Sequence, residues 1–501
     1  MCGIAGIWGQ NDPNGVQIMM DSLIHRGPDA DGIFVAETQA GVLGHRRLSI
    51  MDPKGGNQPI YGDEKSKAIV ANGEIYNFPQ LRPDLMERHN FRTSSDTEAI
   101  LHLYEEHGTE TVNLLDGMYA FAIADENSLF AARDPIGIKP LYYGEKNGST
   151  IIASELKAIA KCCDNVKEFP PGTYYHSDSG FTTFYTVPDL QPEVDADPEI
   201  LIKRLRETLE EAVVKRLMSD VPLGAFLSGG LDSSIIAAIV RQHHSGPLHT
   251  FSVGIEGSQD LAAARLVSRH LDTIHHEYVI TPQEVKEKLP EIIYFMETFD
   301  QDLVRSGIPC YFTSRLAAEY VKVILTGEGA DELFAGYTYY KGIPDEEVLH
   351  RELRRSVATL HNINLQRVDR LTMAHSIEGR VPFLDLKCIE LGQQIPAKYK
   401  IAGDPLIEKW ILRKAFEDML PSEIVWRNKL QFDEGSGTVD LLNELLSSAM
   451  SAEEAEAYQQ KHPEAKLRSA EECFYHQVFM EAFDNPEPIL ANVGRWSDRP
   501  V

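Results

Sequence analysis

The sequence lacks the features that direct a protein into or across a membrane. Its 501 residues contain no run of 18 apolar residues, so we expect no transmembrane helix. The first residues read Met-Cys-Gly-Ile-Ala-Gly-Ile-Trp-Gly, without the basic and apolar regions of a signal peptide. We therefore expect a cytoplasmic protein with no membrane association.

Basic residues are also scarce. The chain has 48 Lys and Arg against 76 Asp and Glu, a net charge of −28, of which residues 1–180 carry −10. The charge is spread evenly, so there is neither an acidic tail nor the basic patch that nucleic-acid binding requires. We expect no nucleic-acid partner. Solubility explains the excess of acids most simply, and adaptation to high salt stays open as an alternative.

The chain lacks CxxC pairs and the Cys/His spacing of a zinc site. It also lacks the GxxxxGK[ST] motif, which excludes a Walker A loop. A cytoplasmic chain keeps its thiols reduced, so we interpret five of its six cysteines as small buried apolar residues. Cys2 is the exception because of its position.

The first part of the chain reads as an α+β domain. Short runs typical of strands dominate residues 2–184, including an alternating hairpin from Met118 to Arg133. Two amphipathic helices interrupt them, one beginning near Phe78 and one that we expect Asp96 to cap. Because strands outnumber helices, we predict layered sheets with helices packed outside.

The second part reads as an α/β domain. Residues 185–199 are rich in proline and acids and are predicted to be a linker. Strands and helices alternate through residues 200–483, which predicts a doubly wound parallel sheet with ligands at the carboxyl ends of its strands. Residues 484–501 are rich in Pro and Asn and are expected to form a loose tail.

Cys2 is a candidate nucleophile. Once the initiator methionine is removed, Cys2 would carry both a thiol and a free α-amine, which supplies nucleophile and general base together. Asn72 and Gly73 are suitable donors for an oxyanion, Arg47 for a substrate carboxylate, and Asp96 for a substrate ammonium. Each has a structural alternative, since Asn-Gly favours hairpin turns, Asp caps helices and Arg47 could be a surface residue.

A second candidate site follows the first strand of the α/β domain. The sequence Leu-Ser-Gly-Gly-Leu-Asp-Ser-Ser at 227–234 joins a strand to a helix, where backbone N–H groups favour phosphate. Asp232 would repel phosphate unless Mg²⁺ lies between them. A second strand ends in Thr-Gly-Glu-Gly-Ala-Asp at 326–331, and Asp331 would share that ion or simply cap a helix. Glu328 and Lys429 are further candidates, although Lys429 could be merely exposed.

These motifs resemble a known family. Met-Cys-Gly, Arg-Leu-Ser-Ile at 47–50, Asn-Gly-Glu at 72–74 and Ser-Asp-Thr-Glu at 95–98 resemble the class II glutamine amidotransferase domain. With the loops at 227–234 and 326–331 and the segment 369–385 behind them, the chain resembles the glutamine-dependent asparagine synthetases over residues 2 to about 435.

The resemblance implies an Ntn-hydrolase-like αββα sandwich followed by a domain of the ATP-pyrophosphatase type. It implies hydrolysis of glutamine at Cys2, transfer of ammonia through a tunnel, and amidation of aspartate through β-aspartyl-AMP with ATP and Mg²⁺. It also implies a homodimer, although the sequence reveals no interface.

By the same resemblance the site residues fall into four groups. The catalytic residues are Cys2, Asn72, Gly73, Glu328 and Lys429. The glutamine-binding residues are Arg47, Leu48, Ser49, Ile50, Asn72, Gly73, Glu74 and Asp96. The ATP-binding residues are Leu227, Ser228, Gly229, Gly230, Asp232, Ser233, Ser234, Val253, Thr326 and Gly327. The Mg²⁺ ligands are Asp232 and Asp331.

Alternatives remain. Related chains amidate other carboxylates or close β-lactam rings, and the β-lactam type does not require Cys2. Sugar and phosphoribosyl amidotransferases share only the first domain, and the loop at 227–234 argues against them. An inactive scaffold is disfavoured because no expected motif is broken.

Overall fold

A computed structural model describes residues 2–38, 40–62, 66–439, 441–442 and 450–496. Two antiparallel sheets form its amino-terminal part, with strand orders β10-β8-β9-β1-β3-β2 and β12-β11-β7-β6-β5-β4. The strands are β1 Cys2–Trp8, β2 Ala30–Val35, β3 Gly41–Arg47, β4 Ile60–Tyr61, β5 Ala68–Ile75, β6 Gly117–Ala124, β7 Leu129–Arg133, β8 Tyr142–Lys146, β9 Ser149–Ala153, β10 Val166–Glu168, β11 Thr173–His176 and β12 Gly180–Thr183. The helices are α1 Pro13–Asp21, α2 Phe78–Met86, α3 Asp96–His107 and α4 Leu156–Ile159.

The two sheets pack face to face between layers of helices. Ile4 and Leu43 of the first sheet share a buried cluster with Ala120 of the second. On the outer faces, α1 buries Met19 against the first sheet, and α3 buries Ile100 against the second. This alternation of inward and outward apolar side chains gives each sheet two covered faces. The predicted αββα sandwich is confirmed.

A parallel sheet forms the second half, with strand order β15-β14-β13-β16-β17. Its strands are β13 Leu223–Phe226, β14 His249–Gly254, β15 Ile274–Val279, β16 Val323–Leu325 and β17 Glu378–Arg380. The helices are α5 Pro198–Lys215, α6 Leu231–His243, α7 Gln259–Leu271, α8 Pro282–Met296, α9 Gln301–Ala317, α10 Ala330–Phe334, α11 Glu346–Ala358, α12 Asn364–Met373, α13 Leu386–Gln394, α14 Ala397–Lys400, α15 Trp410–Ala415, α16 Ser422–Val425, α17 Phe432–Gly435, α18 Ala452–Lys461, α19 Ala470–Ala482 and α20 Glu487–Leu490. The predicted α/β class is confirmed.

The order of these strands locates the second site. The chain passes from β13 outward to β14 and β15, then returns to place β16 on the other side of β13. The direction of winding therefore reverses between β13 and β16. Crevices at the carboxyl ends of such neighbouring strands are where ligands bind in open α/β sheets.

Two local expectations are wrong. Ser95, not Asp96, is the N-cap of α3, and its hydroxyl accepts a hydrogen bond from the Thr97 N–H. The expected loose tail is instead packed over its described part, residues 484–496, where Ile489 of α20 is 1% exposed. The tail residues 497–501 lie outside the described residues. In the described part of the chain, no helix is both long and apolar enough to cross a bilayer.

Candidate active sites

The first candidate site forms around Cys2, the first residue of β1. Cys2 pairs in register with Arg47 of β3 and is 7% exposed. Its backbone nitrogen donates to Asn72 Oδ1 at 2.9 Å, and its thiol donates to the Leu48 carbonyl at 3.9 Å. Four of the predicted residues, from three separate segments of the sequence, therefore meet around Cys2.

Burial raises the pKa of the Cys2 thiol above its ordinary value, and the charge of Arg47 opposes this shift only in part. The thiol is therefore protonated at neutral pH. A thiol in this state needs a base to become a nucleophile. The site accordingly requires a proton acceptor next to Cys2, which is the role predicted for its own α-amine.

The predicted oxyanion donors lie inside a strand rather than in a turn. Asn72 and Gly73 belong to β5 and pair with β6, so the hairpin-turn alternative is wrong. Asn72 Oδ1 faces the Cys2 nitrogen, and its buried Nδ2 has no hydrogen-bond partner among the described residues. A Cβ on Gly73 would lie 2.0 Å from the Met118 carbonyl oxygen, so only glycine fits there. Asn72 thus presents an unused donor beside the thiol.

Arg47 is 3% exposed, and its guanidinium is hydrogen-bonded to the loop that follows β3. Nη1 donates to the Pro53 carbonyl and to Asn57 Oδ1, and Nη2 donates to the Met51 and Asp52 carbonyls, at 2.7–3.3 Å. Arg47 is therefore not a surface residue. Arg47 holds the 51–57 loop in place. A substrate carboxylate that binds the Arg47 guanidinium would share this group with the loop carbonyls.

Two of the predicted residues, Glu74 and Asp96, carry buried carboxyl groups. Asp96, the first residue of α3, accepts a hydrogen bond from the Ile75 N–H at 2.7 Å, and burial raises its pKa to about 6. Burial and the charge of Asp96 raise the pKa of Glu74 well above its ordinary value. The remaining predicted residues, Leu48, Ser49 and Ile50, directly follow β3 and are buried.

The second candidate site is a cavity of about 370 Å³ at the carboxyl ends of β13 and β16. It brings together ten of the residues predicted for ATP, metal and catalysis: Leu227, Ser228, Gly230, Asp232, Ser233, Thr326, Gly327, Glu328, Asp331 and Lys429. Gly229, Ser234 and Val253 are not among its lining residues.

The loop at 227–234 has a tightly constrained backbone. Gly229 has a φ of +75°, and a Cβ there would lie 2.5 Å from the Ala264 nitrogen. The Ser234 hydroxyl donates to the Gly230 carbonyl at 2.7 Å, and the Ser228 and Ser233 hydroxyls are 3.1 Å apart. Glycine is required because another residue would strain this turn. The loop leads into α6, whose amino end faces the cavity.

The two predicted metal ligands lie on either side of one ammonium group. Lys409 Nζ is 2.5 Å from Asp232 Oδ2 and 2.6 Å from Asp331 Oδ1, and Lys409 is 1% exposed. Lys429 Nζ is 2.9 Å from Asp331 as well. Burial alone would raise the pKa of the Asp331 carboxyl, but Lys409 and Lys429 outweigh it and the pKa lies well below its usual range.

These carboxylates fit a Mg²⁺ ion. Both lie beside Lys409, and Asp232 Oδ1 is buried without a hydrogen-bond partner in the described residues, so this oxygen is open to an ion next to the ammonium group. Mg²⁺ prefers one or two carboxylates together with phosphate oxygens, and this end of the cavity supplies the two carboxylates. The predicted pair is therefore compatible with the ion.

Three cavity residues have roles that the sequence did not reveal. Arg367 on α12 pairs with Glu328 at 2.6 Å, and Arg427 donates to Asp260 at 2.9 Å. Lys409, the third, lies 177 residues from Asp232, one of the two aspartates that it contacts. Arg427 could have been found from its place beside Lys429, whereas no local pattern marks Lys409 or Arg367.

A buried network of charges joins the two halves. Arg26 Nη1 is 2.6 Å from Glu155 and 2.8 Å from Asp369, and Arg370 Nη2 is 2.8 Å from Glu297. These five side chains are at most 3% exposed, and we call them the ionic seam: Arg26, Glu155, Glu297, Asp369 and Arg370. The segment 369–385 thus contacts the first sheet through the seam and then supplies β17 to the parallel sheet.

Family models match both halves. A glutamine amidotransferase domain model matches residues 1–184, and an asparagine synthase model matches residues 204–344 and 341–497. The chain belongs to the asparagine synthase family. The resemblance noted in the sequence is therefore confirmed.

Individual relatives within the asparagine synthase family agree. The chain is 40% identical over 514 aligned positions to asparagine synthetase [glutamine-hydrolyzing] 2 of Oryza sativa subsp. japonica, covering 96% of this chain and 85% of the rice protein. It is 39% identical over 482 positions to asparagine synthetase B [glutamine-hydrolyzing] of Escherichia coli strain K12, covering 92% of this chain and 87% of that protein.

Proposed function

We propose that this chain makes asparagine from aspartate, ATP and glutamine, with AMP, diphosphate and glutamate as the other products. The observation that carries the proposal is the presence of two complete constellations in one chain of the asparagine synthase family. One surrounds a buried thiol, and the other surrounds paired aspartates at the switch point of a parallel sheet. Neither constellation alone would make asparagine from glutamine.

The first reaction is hydrolysis of glutamine. The α-amine of Cys2, freed by removal of the initiator methionine, takes the thiol proton, and sulfur attacks the amide carbon. Asn72 Nδ2 and the Gly73 N–H donate to the oxyanion of the tetrahedral intermediate. The amide nitrogen leaves as ammonia, and water then releases glutamate from the thioester. Arg47 and Asp96 hold the carboxylate and ammonium of the substrate.

The second reaction activates aspartate. ATP lies with its phosphates on the 227–234 loop, where the amino end of α6 and the loop N–H groups attract negative charge. Asp232 and Asp331 would hold Mg²⁺, which neutralises charge on the diphosphate. The side-chain carboxylate of aspartate attacks the α-phosphorus, and diphosphate leaves. Lys429 stabilises charge that develops on phosphate oxygens.

The third reaction joins the two products. Ammonia attacks the acyl carbon of β-aspartyl-AMP, AMP leaves, and Glu328 accepts the proton that the new amide must lose. Arg367 pairs with Glu328 at 2.6 Å and orients it for this step. Ammonia that escaped into neutral water would be protonated and lose its nucleophilicity, so an enclosed route between the sites favours coupling.

The direct test is an assay of the purified protein with Mg²⁺, ATP, glutamine and aspartate. We expect asparagine and diphosphate in equal amounts, both dependent on aspartate. Glutamate formation without asparagine would contradict the proposal and favour a different acceptor acid. Competition between aspartate and other carboxylic acids then identifies that acceptor.

Two variants test the division of labour. Cys2→Ala should abolish the use of glutamine but leave synthesis from ammonium salts intact, because the second site is unchanged. Glu328→Gln should stop synthesis from either nitrogen source while glutamine hydrolysis continues. If either variant lost glutamine hydrolysis and synthesis from ammonium salts to the same extent, the assignment of separate sites would be contradicted.

We further propose a cytoplasmic homodimer, which rests on the family alone. Light scattering during size-exclusion chromatography should give twice the 56.1 kDa mass of one chain. A mass of 56.1 kDa at micromolar concentration would overturn the dimer.

A further inference from the structure

A cluster of histidines and glutamates lies outside both candidate sites. His89 follows α2, and His102 and Glu105 lie one turn apart on α3. One ligand atom from each of these three residues lies within 4.8 Å of the others. None of them lines the cavity of the second site. Neither proposed reaction uses them, so their close approach needs a separate explanation.

Both imidazoles direct the same ring nitrogen at one carboxylate oxygen. His102 Nδ1 is 2.9 Å and His89 Nδ1 is 3.5 Å from Glu105 Oε2. Ligands bound at 2.0–2.1 Å around a tetrahedral zinc ion are about 3.3 Å apart. The two observed distances lie on either side of this value, and all three ligand atoms lie within 4.8 Å of one another, so an ion would bind once the rings turn toward it.

The other ring nitrogens contact further carboxylates. His89 Nε2 is 2.9 Å from Glu106 Oε1, and His102 Nε2 is 3.6 Å from Glu98 Oε1. Glu98 is fixed in turn, because it accepts hydrogen bonds at 2.7 Å from the Arg92 and Thr93 N–H groups. A histidine that binds a metal commonly donates its second N–H to a carboxylate. His89 has that arrangement through Glu106, and Glu98 is the carboxylate near His102 Nε2, at 3.6 Å.

Charge also favours a cation at this point. Glu98, Glu105 and Glu106 bring three carboxyl groups to one place, and Arg88 pairs with Glu106. The rings of His89 and His102 stack beside them with centroids 4.4 Å apart. A divalent ion would offset part of this concentration of carboxylates. The nitrogen ligands disfavour Mg²⁺ and Ca²⁺, which prefer oxygen.

We propose that His89, His102 and Glu105 bind one divalent transition metal ion of the zinc class, with solvent as the fourth ligand. The side chains of His89 and Glu105 are 13% and 17% exposed, which leaves a path for the ion, while His102 is 1% exposed. Glu98 connects this site to the 92–95 segment, which precedes Asp96 at the start of α3. A bound ion would therefore stabilise the beginning of α3, where Asp96 accepts a hydrogen bond from Ile75.

The test uses the full chain after treatment with a chelator and buffer exchange. Equilibrium dialysis against micromolar Zn²⁺, with metal content measured by mass spectrometry, gives the stoichiometry and affinity of binding. Unfolding temperature with and without Zn²⁺ provides a second readout. His89→Gln and Glu105→Gln remove partly exposed ligands and spare the buried His102. His107→Gln removes an exposed histidine from the same helix and is the matched control.

We expect one zinc equivalent in the wild-type chain and in His107→Gln. His89→Gln and Glu105→Gln should bind that equivalent at least about tenfold more weakly and lose its stabilisation against heat. Zinc held by Cys2 or by the paired aspartates would persist in all variants and is thereby distinguished. Equal zinc content and equal thermal shifts in all four proteins would overturn the proposal, as would the absence of stoichiometric zinc in the wild type.

Discussion

Lys409 holds the two aspartates of the second site together, so its replacement should make the stability of the protein depend on Mg²⁺. In Lys409→Met the ammonium group 2.5 Å from Asp232 and 2.6 Å from Asp331 is lost, while a side chain of similar volume remains. Asp331 keeps Lys429 as a partner. Asp232 loses its cation, and one of its oxygens already has no partner among the described residues.

The size of the effect follows from burial. Breaking a buried ion pair by removing one partner costs about 3–5 kcal/mol. In a domain of this size, 1 kcal/mol corresponds to about 2–4 °C, so the unfolding temperature should fall by about 10 °C. Mg²⁺ should then occupy the point that Lys409 vacates. At a concentration 100 times its dissociation constant, an ion that binds only the folded state raises the free energy of unfolding by about 2.7 kcal/mol.

The assay is thermal unfolding of both proteins over a series of Mg²⁺ concentrations without nucleotide. We expect a marked rise of the unfolding temperature in Lys409→Met and a small one in the wild type. Lys414→Met is the matched control, because Lys414 forms a partly exposed pair with Glu417 and such pairs contribute little. A Mg²⁺ response in Lys409→Met no larger than in the control would refute the reasoning.

Two further predictions concern the first site. Burial raises the pKa of Asp96 to about 6, so its carboxylate is present above pH 6 and lost below it. KM for glutamine should therefore rise as the pH falls through 6. In Asp96→Asn the KM should be raised at every pH, without the rise near pH 6. If the pH profile of glutamine hydrolysis were the same in the variant as in the wild type, Asp96 would be excluded as the ammonium ligand. Gly73→Ala places a Cβ 2.0 Å from the Met118 carbonyl, which should cost about 1–3 kcal/mol and abolish glutamine hydrolysis while synthesis from ammonium continues. If Gly73→Ala hydrolysed glutamine at the wild-type rate, the prediction would be wrong, and β5 and β6 would separate without affecting Cys2.

The sequence revealed features whose cause is local. A glycine-rich turn between a strand and a helix has a characteristic pattern, so the loops at 227–234 and 326–331 could be assigned from the residues themselves. The alternation of strands and helices likewise predicted the parallel sheet. The resemblance to a family supplied further site residues, but not the contacts that hold them.

What the sequence could not reveal depends on packing between distant segments. Asn72-Gly73 favours a turn locally, yet the pairing of β5 with β6 places it within a strand. Ser95 and Asp96 are both good helix caps, and the hydrogen bond from Ile75 to Asp96 decides between them. Lys409 contacts its aspartates only because α15 packs beside the cavity, and no spacing in the chain encodes that approach.

The ionic seam limits how this protein can be recombined with its relatives. Arg26 and Glu155 come from one half of the chain, while Glu297, Asp369 and Arg370 come from the other. A chimaera that exchanged residues 1–184 alone would inherit these complementary charges only if both parents share them. A single mismatch would leave a charge stranded in the interior, with a penalty of about 3–5 kcal/mol. The halves are therefore expected to be inherited and engineered as matched pairs.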